Sequence, residues 1–143
     1  MKITKNALLL STLALLFALP ALASPAPVSK EDPIDTWLAK AIEKDYSTAG
    51  MRNATNDARE MWNKEMNKVY SRLMSRLSKS QQGVLRDSQR TWLKFRDSEG
   101  EVISHVVASK DGTMYQLMAT SMGMELVKAR TLQLREYEAT LDE

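Results

Sequence analysis

QRTWLKFRD, residues Gln89–Asp97, carries two aromatic rings, three cations and one carboxylate within nine residues. In a helix, Trp92, Phe95 and Arg96 fall on one face because they are spaced by three and four positions. We expect this face to turn inward. A guanidinium beside two rings then needs hydrogen-bonding partners, since an unpaired buried charge costs several kcal/mol. The stretch therefore predicts a core helix whose polar groups pair with residues elsewhere in the chain.

The residues on its N-terminal side predict two further helices. Asp32 is the expected N-cap of a short helix that has proline in its first position and ends near Asp45. Ser47 or Thr48 can cap a second helix, in which apolar residues at helical spacing continue without a proline to about Leu77. A helix of that length needs packing partners, because isolated helices are marginal in water.

The third helix and a fourth one follow from capping and turn signals. Ser78 and Gln81 form a capping-box pattern that starts the third helix, which reaches about Ala108. The Asp-Gly pair at 111–112 marks a turn, and Thr113 is expected to cap a fourth helix that ends near Leu141. The predicted inward stripes are Leu85, Ser88, Trp92, Phe95, Glu99, Val102 and Val106 on the third helix, and Met122, Leu126, Arg130, Leu134, Tyr137 and Leu141 on the fourth.

These signals divide the chain into a signal segment, a tether and one domain. Three long helices with short connections, preceded by one short helix, predict an all-α, up-and-down antiparallel bundle. Ahead of it, Met1–Ala23 resembles a secretory signal, with two lysines, an apolar run at 7–19 and small residues before the cleavage point. We expect cleavage between Ala23 and Ser24, which leaves a flexible tether at 24–31 and the helical domain at 32–143. The expected location is the periplasm or the exterior, without stable membrane insertion.

Charge and composition narrow the possible functions. The precursor has 20 basic and 18 acidic residues, and loss of Lys2 and Lys5 leaves 18 of each. The cleaved chain is therefore neutral and lacks the basic surplus typical of a nucleic-acid-binding protein. With no cysteine, it has no disulfide, thiol nucleophile or thiolate metal site. His105 is the sole histidine, and no Ser/His/Asp arrangement can be assembled around it, so we expect a non-enzymatic protein that needs no cofactor.

Polar residues from three helices are expected at one height of the bundle. Counting back from the two turns between long helices places Trp92 level with Asn67 on one side and Arg130 on the other. Tyr70 and Gln89 fall within about a turn of the same height. One interpretation is a hydrogen-bonded layer that fixes the register of the bundle. The alternative is a ligand pocket or a recognition patch at that height.

Several motifs support a resemblance to a known family. They are Glu65–Tyr70, Gln89–Asp97, Gly112–Met114 and Arg130. Together they resemble the lysozyme inhibitor LprI-like N-terminal domain family over about Thr48 to Tyr137. The resemblance implies an exported helical domain and, by the family's name, inhibition of lysozyme. Many relatives carry cysteines near the positions that Ala54, Gly100 and Met122 occupy here, so these crosslinks are absent. The family-motif residues are Asn67, Tyr70, Gln89, Arg90, Trp92, Phe95, Arg96, Asp97 and Arg130.

A lysozyme inhibitor must cover a cleft that contains two catalytic carboxylates, so it needs a projecting cation or hydrogen-bond donor. Lys110 and Lys79, at the two turns beside the third helix, are the candidates on turns. Arg90 and Lys94 are the candidates on a helix face. The alternative is an interaction module for another envelope protein. An aromatic-rich seam is also compatible with a homo-oligomer.

A methionine series offers a third function. Met114, Met118 and Met122 repeat every four residues, so their thioethers share one face of the fourth helix, and thioethers suit cuprous ion. Neither histidine nor cysteine accompanies them. We therefore favour the interpretation that these methionines fill irregular space in the core.

Overall fold

The computed structural model describes residues 31–142, which form four helices and no strand. The helices are α1 (Pro33–Lys44), α2 (Thr48–Arg76), α3 (Lys79–Ala108) and α4 (Thr113–Thr140). The all-α bundle with three long helices and one short N-terminal helix is thus confirmed. The predicted signal at 1–23 and the tether up to residue 30 lie outside the described residues. None of the four helices is both long enough and apolar enough to cross a bilayer.

The helix starts follow from local capping, as the sequence predicts. Asp32 accepts a hydrogen bond from the amide of Ile34 at 2.9 Å and precedes the N-terminal proline of α1. Ser47 caps α2 in the same way. Ser78 and Gln81 form the reciprocal capping box at the start of α3. Each cap satisfies backbone amides that have no partner within their own helix.

The start of α4 differs from the prediction. The N-cap is Gly112, which has no side chain to accept a hydrogen bond, and Thr113 is the first helical residue. Gly112 adopts φ 111°, a conformation that L side chains rarely adopt. Glycine here lets the chain reverse in a short turn, so the turn chemistry outweighs the capping preference of threonine.

The core lies mainly between α2 and α4, which share the most extensive interface, with α1 packed on α2. Trp62, Val69 and Leu134 are fully buried at its centre. The central tryptophan of the fold is therefore Trp62, whereas Trp92 is only partly buried against this cluster. The buried cluster consists of Ile34, Ala58, Trp62, Met66, Val69, Leu73, Leu85, Met124, Val127 and Leu134.

The inward face predicted for α3 is wrong for four of its residues. Helix α3 lies against α4, and its buried apolar residues are Leu85 and Ile103. Phe95 is 50% exposed, and Ser88, Val102 and Val106 are also exposed. Because α3 rests chiefly on one neighbour, only a narrow edge of it faces the core. The stripe through Phe95 lies beside that edge.

The stripe predicted for α4 is also rotated. Arg130 and Leu134 are buried as expected, but Met122, Tyr137 and Leu141 are exposed. Since α4 packs most extensively on α2, its inward direction is set by α2 and not by α3. Residues between the predicted ones take the buried places, namely Met124, Val127 and Thr131.

Ion pairs fasten α1 and α2 to α4 around the central tryptophan. Arg135 reaches Asp32 at 2.6 Å and Glu65 at 3.0 Å, while Lys128 reaches Asp35 at 2.8 Å. Both cations also lie over the Trp62 ring, at 5.5 and 5.7 Å from its centre. Burial favours a lower pKa for Lys128, but its hydrogen bond to Asp35 and the charges of Asp35, Glu125 and Asp32 together outweigh burial and raise that pKa. Burial also favours a lower pKa for Arg135, but its hydrogen bonds to Asp32 and Glu65 and the charges of these carboxylates together raise that pKa.

Candidate functional site

A buried arginine organises the polar layer. Arg130 is 5% exposed, and its Nε donates to Oε1 of Gln89 at 3.0 Å. Its two terminal nitrogens donate to Ser88 and Gln133. The guanidinium also lies over Trp92, 6.0 Å from the ring centre. Arg130, Gln89 and Trp92 therefore meet at one height, as register counting predicts.

The guanidinium of Arg130 has only neutral hydrogen-bond partners within residues 31–142. Burial lowers the pKa of Arg130, although the nearby Tyr137 has the opposite effect. An arginine nevertheless keeps its charge at neutral pH. The protein thus holds a buried positive charge for which the described part of the chain supplies no carboxylate, a costly arrangement.

A second arginine contacts the same tryptophan. The guanidinium of Arg96 lies 5.6 Å from the centre of the Trp92 ring. It donates to Asp97 from Nε at 3.0 Å and from Nη2 at 2.6 Å. The partner of Arg96 is thus its neighbour in sequence, which corrects the expectation of a partner elsewhere in the chain. Of the polar side chains in residues 89–97, only the amide of Gln89 forms a hydrogen bond to another helix within the described part of the chain.

The α2 residues of the family motif take a different place. Asn67 and Tyr70 line a shallow groove of about 330 Å³ between α2 and α3, together with Arg86, Gln89 and Arg90. Within the described helices, no side-chain hydrogen bond joins Asn67 or Tyr70 to the Arg130 layer. The layer itself is built by α3 and α4. Helix α2, which was also expected in the layer, contributes only a weak contact, in which Gln89 Nε2 donates to the sulfur of Met66 at 3.6 Å.

The predicted partner-binding cations are all exposed but are dispersed along α3. Lys79 and Lys110 flank opposite ends of α3, roughly 45 Å apart at 1.5 Å per residue. Arg90 and Lys94 lie on the helix between them, and Arg90 approaches Asp87 at 3.8 Å. A single chain therefore cannot present both turn lysines to one cleft.

Sequence reasoning missed a polar groove of about 540 Å³ that separates part of α3 from α2. Arg59 lines it from α2, opposite Asp97, Glu101 and His105 of α3. Gly123 of α4 also lines it, and a Cβ added there would make only ordinary contact with Arg59, at 3.7 Å from its Nη1. Mixed charges give this groove no strong preference for either sign. That Arg59 faces α3 follows from the packing of the helices and could not be read from the sequence.

The methionine series is not part of the core, which corrects the packing interpretation. Met114, Met118 and Met122 are 52%, 50% and 51% exposed. They lie on the side of α4 turned away from α2, so their thioethers are accessible. Across the described helices, no three His, Asp or Glu side chains are placed to hold a metal ion together.

Comparisons with known proteins agree with this architecture. The crystal structure of an uncharacterised protein from Burkholderia thailandensis is similar, with 31% sequence identity and a TM-score of 0.71. The similarity covers 76% of this chain and 54% of that chain, so this chain spans about half the length of that protein. The search of curated proteins gives no match. The sequence profile of the family called lysozyme inhibitor LprI matches residues 39–134, from α1 through the Arg130 layer to Leu134. The chain belongs to the lysozyme inhibitor LprI family.

Proposed function

We propose that the protein is an exported, non-enzymatic inhibitor of lysozyme that works in the periplasm or outside the cell. Family membership supports inhibition of lysozyme as the activity. The residue that we propose contacts lysozyme lies in the turn between α3 and α4. This residue is Lys110, which is exposed at one end of the bundle.

The chemistry of the lysozyme cleft explains why an exposed lysine at the end of the bundle suits an inhibitor. A lysozyme cleft contains two carboxylates that act on the glycosidic bond. An inhibitor that enters this cleft must be narrow and must offer a cation or donor to them. A turn between two helices is narrower than the face of a helix. This favours Lys110 over Arg90 and Lys94, which lie in the middle of α3.

The turn is held in shape by its own hydrogen bonds. The amide of Lys110 donates to the carbonyl of Val107 at 2.9 Å, and the hydroxyl of Ser109 donates to Val106 at 2.9 Å. Gly112 completes the reversal with its positive φ. Within residues 31–142, Lys110 forms no ion pair. Because the backbone of this turn is already ordered, ordering it on binding costs little entropy, and Lys110 has no ion pair to break.

Inhibition is tested by lysis of a peptidoglycan suspension with c-type, g-type and i-type lysozymes, with and without the purified protein. We expect protection at a near-stoichiometric ratio against at least one class. Lys110→Glu should weaken it at least about tenfold, because it places a carboxylate against those of the cleft. The matched control is Lys68→Glu, the same charge change on the exposed face of α2, which should inhibit like the wild type.

One outcome would reject lysozyme as the target, and another would reject only the proposed contact. No protection against any class rejects lysozyme as the target, and the alternative of another envelope partner then takes its place. Protection that is equally strong in Lys110→Glu retains the activity but excludes the α3–α4 turn as the contact. Mass spectrometry of the exported protein tests the location, with Ser24 expected as its first residue.

The exposed methionines favour a second candidate function, binding of cuprous ion. Met114, Met118 and Met122 are each about half exposed along one face of α4. Thioether sulfur is a soft ligand that prefers Cu(I) to harder cations. Competition with a chromophoric Cu(I) chelator measures the affinity directly. Loss of binding in Met118→Leu, with Met61→Leu on α2 as control, is the expected result; no competition by the wild type rejects this function.

A further inference from the structure

Helix α3 carries an exposed stripe that is symmetric about its own middle. We define the α3 stripe as seven residues that fall within about 80° of one another at 100° per residue. Its apolar members are all exposed, with Val84 at 71%. The stripe lies on the opposite side of α3 from the groove that Asn67 and Tyr70 line. Its members are Phe95 at the centre and the pairs equidistant from it, namely Val84 and Val106, Ser88 and Val102, and Thr91 and Glu99.

We propose that the α3 stripe binds a second copy of this chain, with the two α3 helices antiparallel across a two-fold axis at Phe95. In such a dimer the same surface serves both copies, so each residue meets the one equidistant from the centre. Phe95 meets Phe95, and Val84 meets Val106 of the second copy. Positions four, seven and eleven residues on either side of Phe95 share its face of the helix, so this register lets an isologous antiparallel contact cover the whole stripe.

A groove beside the stripe fits the apolar residues of the second copy. It has a volume of about 410 Å³ and is lined mainly by apolar side chains of α2, α3 and α4. Val84, Tyr137 and Leu141 form its exposed rim. The proposed register brings Val106 and Val102 of the second copy level with this groove. The contact therefore covers, twice per dimer, an apolar surface that a single chain leaves in water.

The same register accounts for the unpaired charge of Arg130. Glu99 of the second copy comes level with Thr91 and Trp92, on the flank of the stripe that faces α4. Arg130 lies over Trp92 and donates to Ser88 and Gln133, which are both exposed. A carboxylate approaching at this height supplies the counter-charge that the described part of one chain lacks. Such charge-assisted contacts are about twice as strong as neutral ones.

Sedimentation velocity of the purified protein tests the dimer and its interface together. We expect a dimer for the wild type and at least about a tenfold weaker dimer for Phe95→Glu, which faces itself across the two-fold axis. Phe95 is half exposed, so this change should leave the helical circular-dichroism spectrum intact. Leu132→Glu, at an exposed position of α4 outside the stripe, is the matched control and should dimerise like the wild type.

Cysteine crosslinking tests the register independently of stability. The chain has no cysteine, so each introduced thiol is the only one. Phe95→Cys should form a disulfide-linked dimer under mild oxidation, because residues facing each other between packed helices lie within disulfide reach. Val84→Cys should crosslink with Val106→Cys in a mixture but not with itself, and Leu132→Cys should form no disulfide-linked dimer.

The proposal is overturned by any of three results. The first is a wild-type protein that sediments as a monomer at every concentration tested. The second is a dimer that Phe95→Glu does not weaken. The third is crosslinking of Phe95→Cys that is no faster than that of Leu132→Cys. None of these measurements involves lysozyme, so this inference stands or falls separately from the proposed inhibition.

Discussion

The guanidinium of Arg135 lies 5.5 Å from the centre of the fully buried Trp62 ring. The same guanidinium forms ion pairs with Asp32 and Glu65, so one side chain of α4 connects α1, α2 and the aromatic centre of the core. A cation over an aromatic face is favourable, and more so when partly desolvated. Trp92 has a similar arrangement with Arg96 and Arg130, but nearer the surface.

Removing the Arg135 side chain should destabilise the protein more than removing an exposed paired arginine. Arg135→Ala leaves two partly buried carboxylates without their partner, and we expect a loss of about 2 kcal/mol in the free energy of unfolding. Arg72→Ala breaks a single pair, in which the Arg72 side chain is 49% exposed, and should cost less than about 1 kcal/mol. Urea unfolding followed by circular dichroism measures both; equal losses would contradict a special role for Arg135.

The two tryptophans should differ in their contribution to stability. Trp62→Ala opens a large cavity in the core and should cost about 4 kcal/mol. Trp92→Ala removes a ring that is only partly buried, so we expect roughly half that loss. Thermal unfolding of the two variants compares them directly. A larger loss for Trp92→Ala would place the centre of the core on α3 and contradict the packing described here.

Arg130 should be intolerant of even a conservative change. Lysine keeps the charge but lacks the planar fork that reaches Gln89, Ser88 and Gln133 together. We expect Arg130→Lys to lose about 2 kcal/mol of unfolding free energy, through unsatisfied polar groups. Lys94→Arg, at an exposed position of the same bundle, is the control and should be neutral. Unchanged stability in Arg130→Lys would show that the layer does not depend on the guanidinium geometry.

Acid should weaken the link between the ends of α2 and α4. The hydrogen bond from Arg72 lowers the pKa of Glu138 from its ordinary value of 4.5. A lowered pKa in the folded state means stability that is present above the ordinary value and is lost as the pH falls through the folded-state pKa. We expect the difference in stability between wild type and Glu138→Gln to shrink steadily below pH 4.5. A difference that stays constant down to acid unfolding would exclude this pair as a contributor.

Local chemistry determined a large part of this protein from the sequence alone. Helix starts at Asp32, Ser47 and Ser78 depend on side chains that bond amides within three residues, so they need no tertiary partner. The meeting of Arg130 with Gln89 also followed from the sequence, because the rise per residue fixes heights along antiparallel helices.

Only the tertiary structure decided which side of each helix is inside. Neighbouring positions on a helix differ by 100°, and an apolar stripe several residues wide is compatible with more than one rotation. Phe95 was therefore expected inside and is half exposed, because α3 rests mainly on α4. Trp62 became the centre of the core because α2 and α4 form the largest interface. Periodicity sets the width of an apolar face, whereas its direction depends on which helices pack against it.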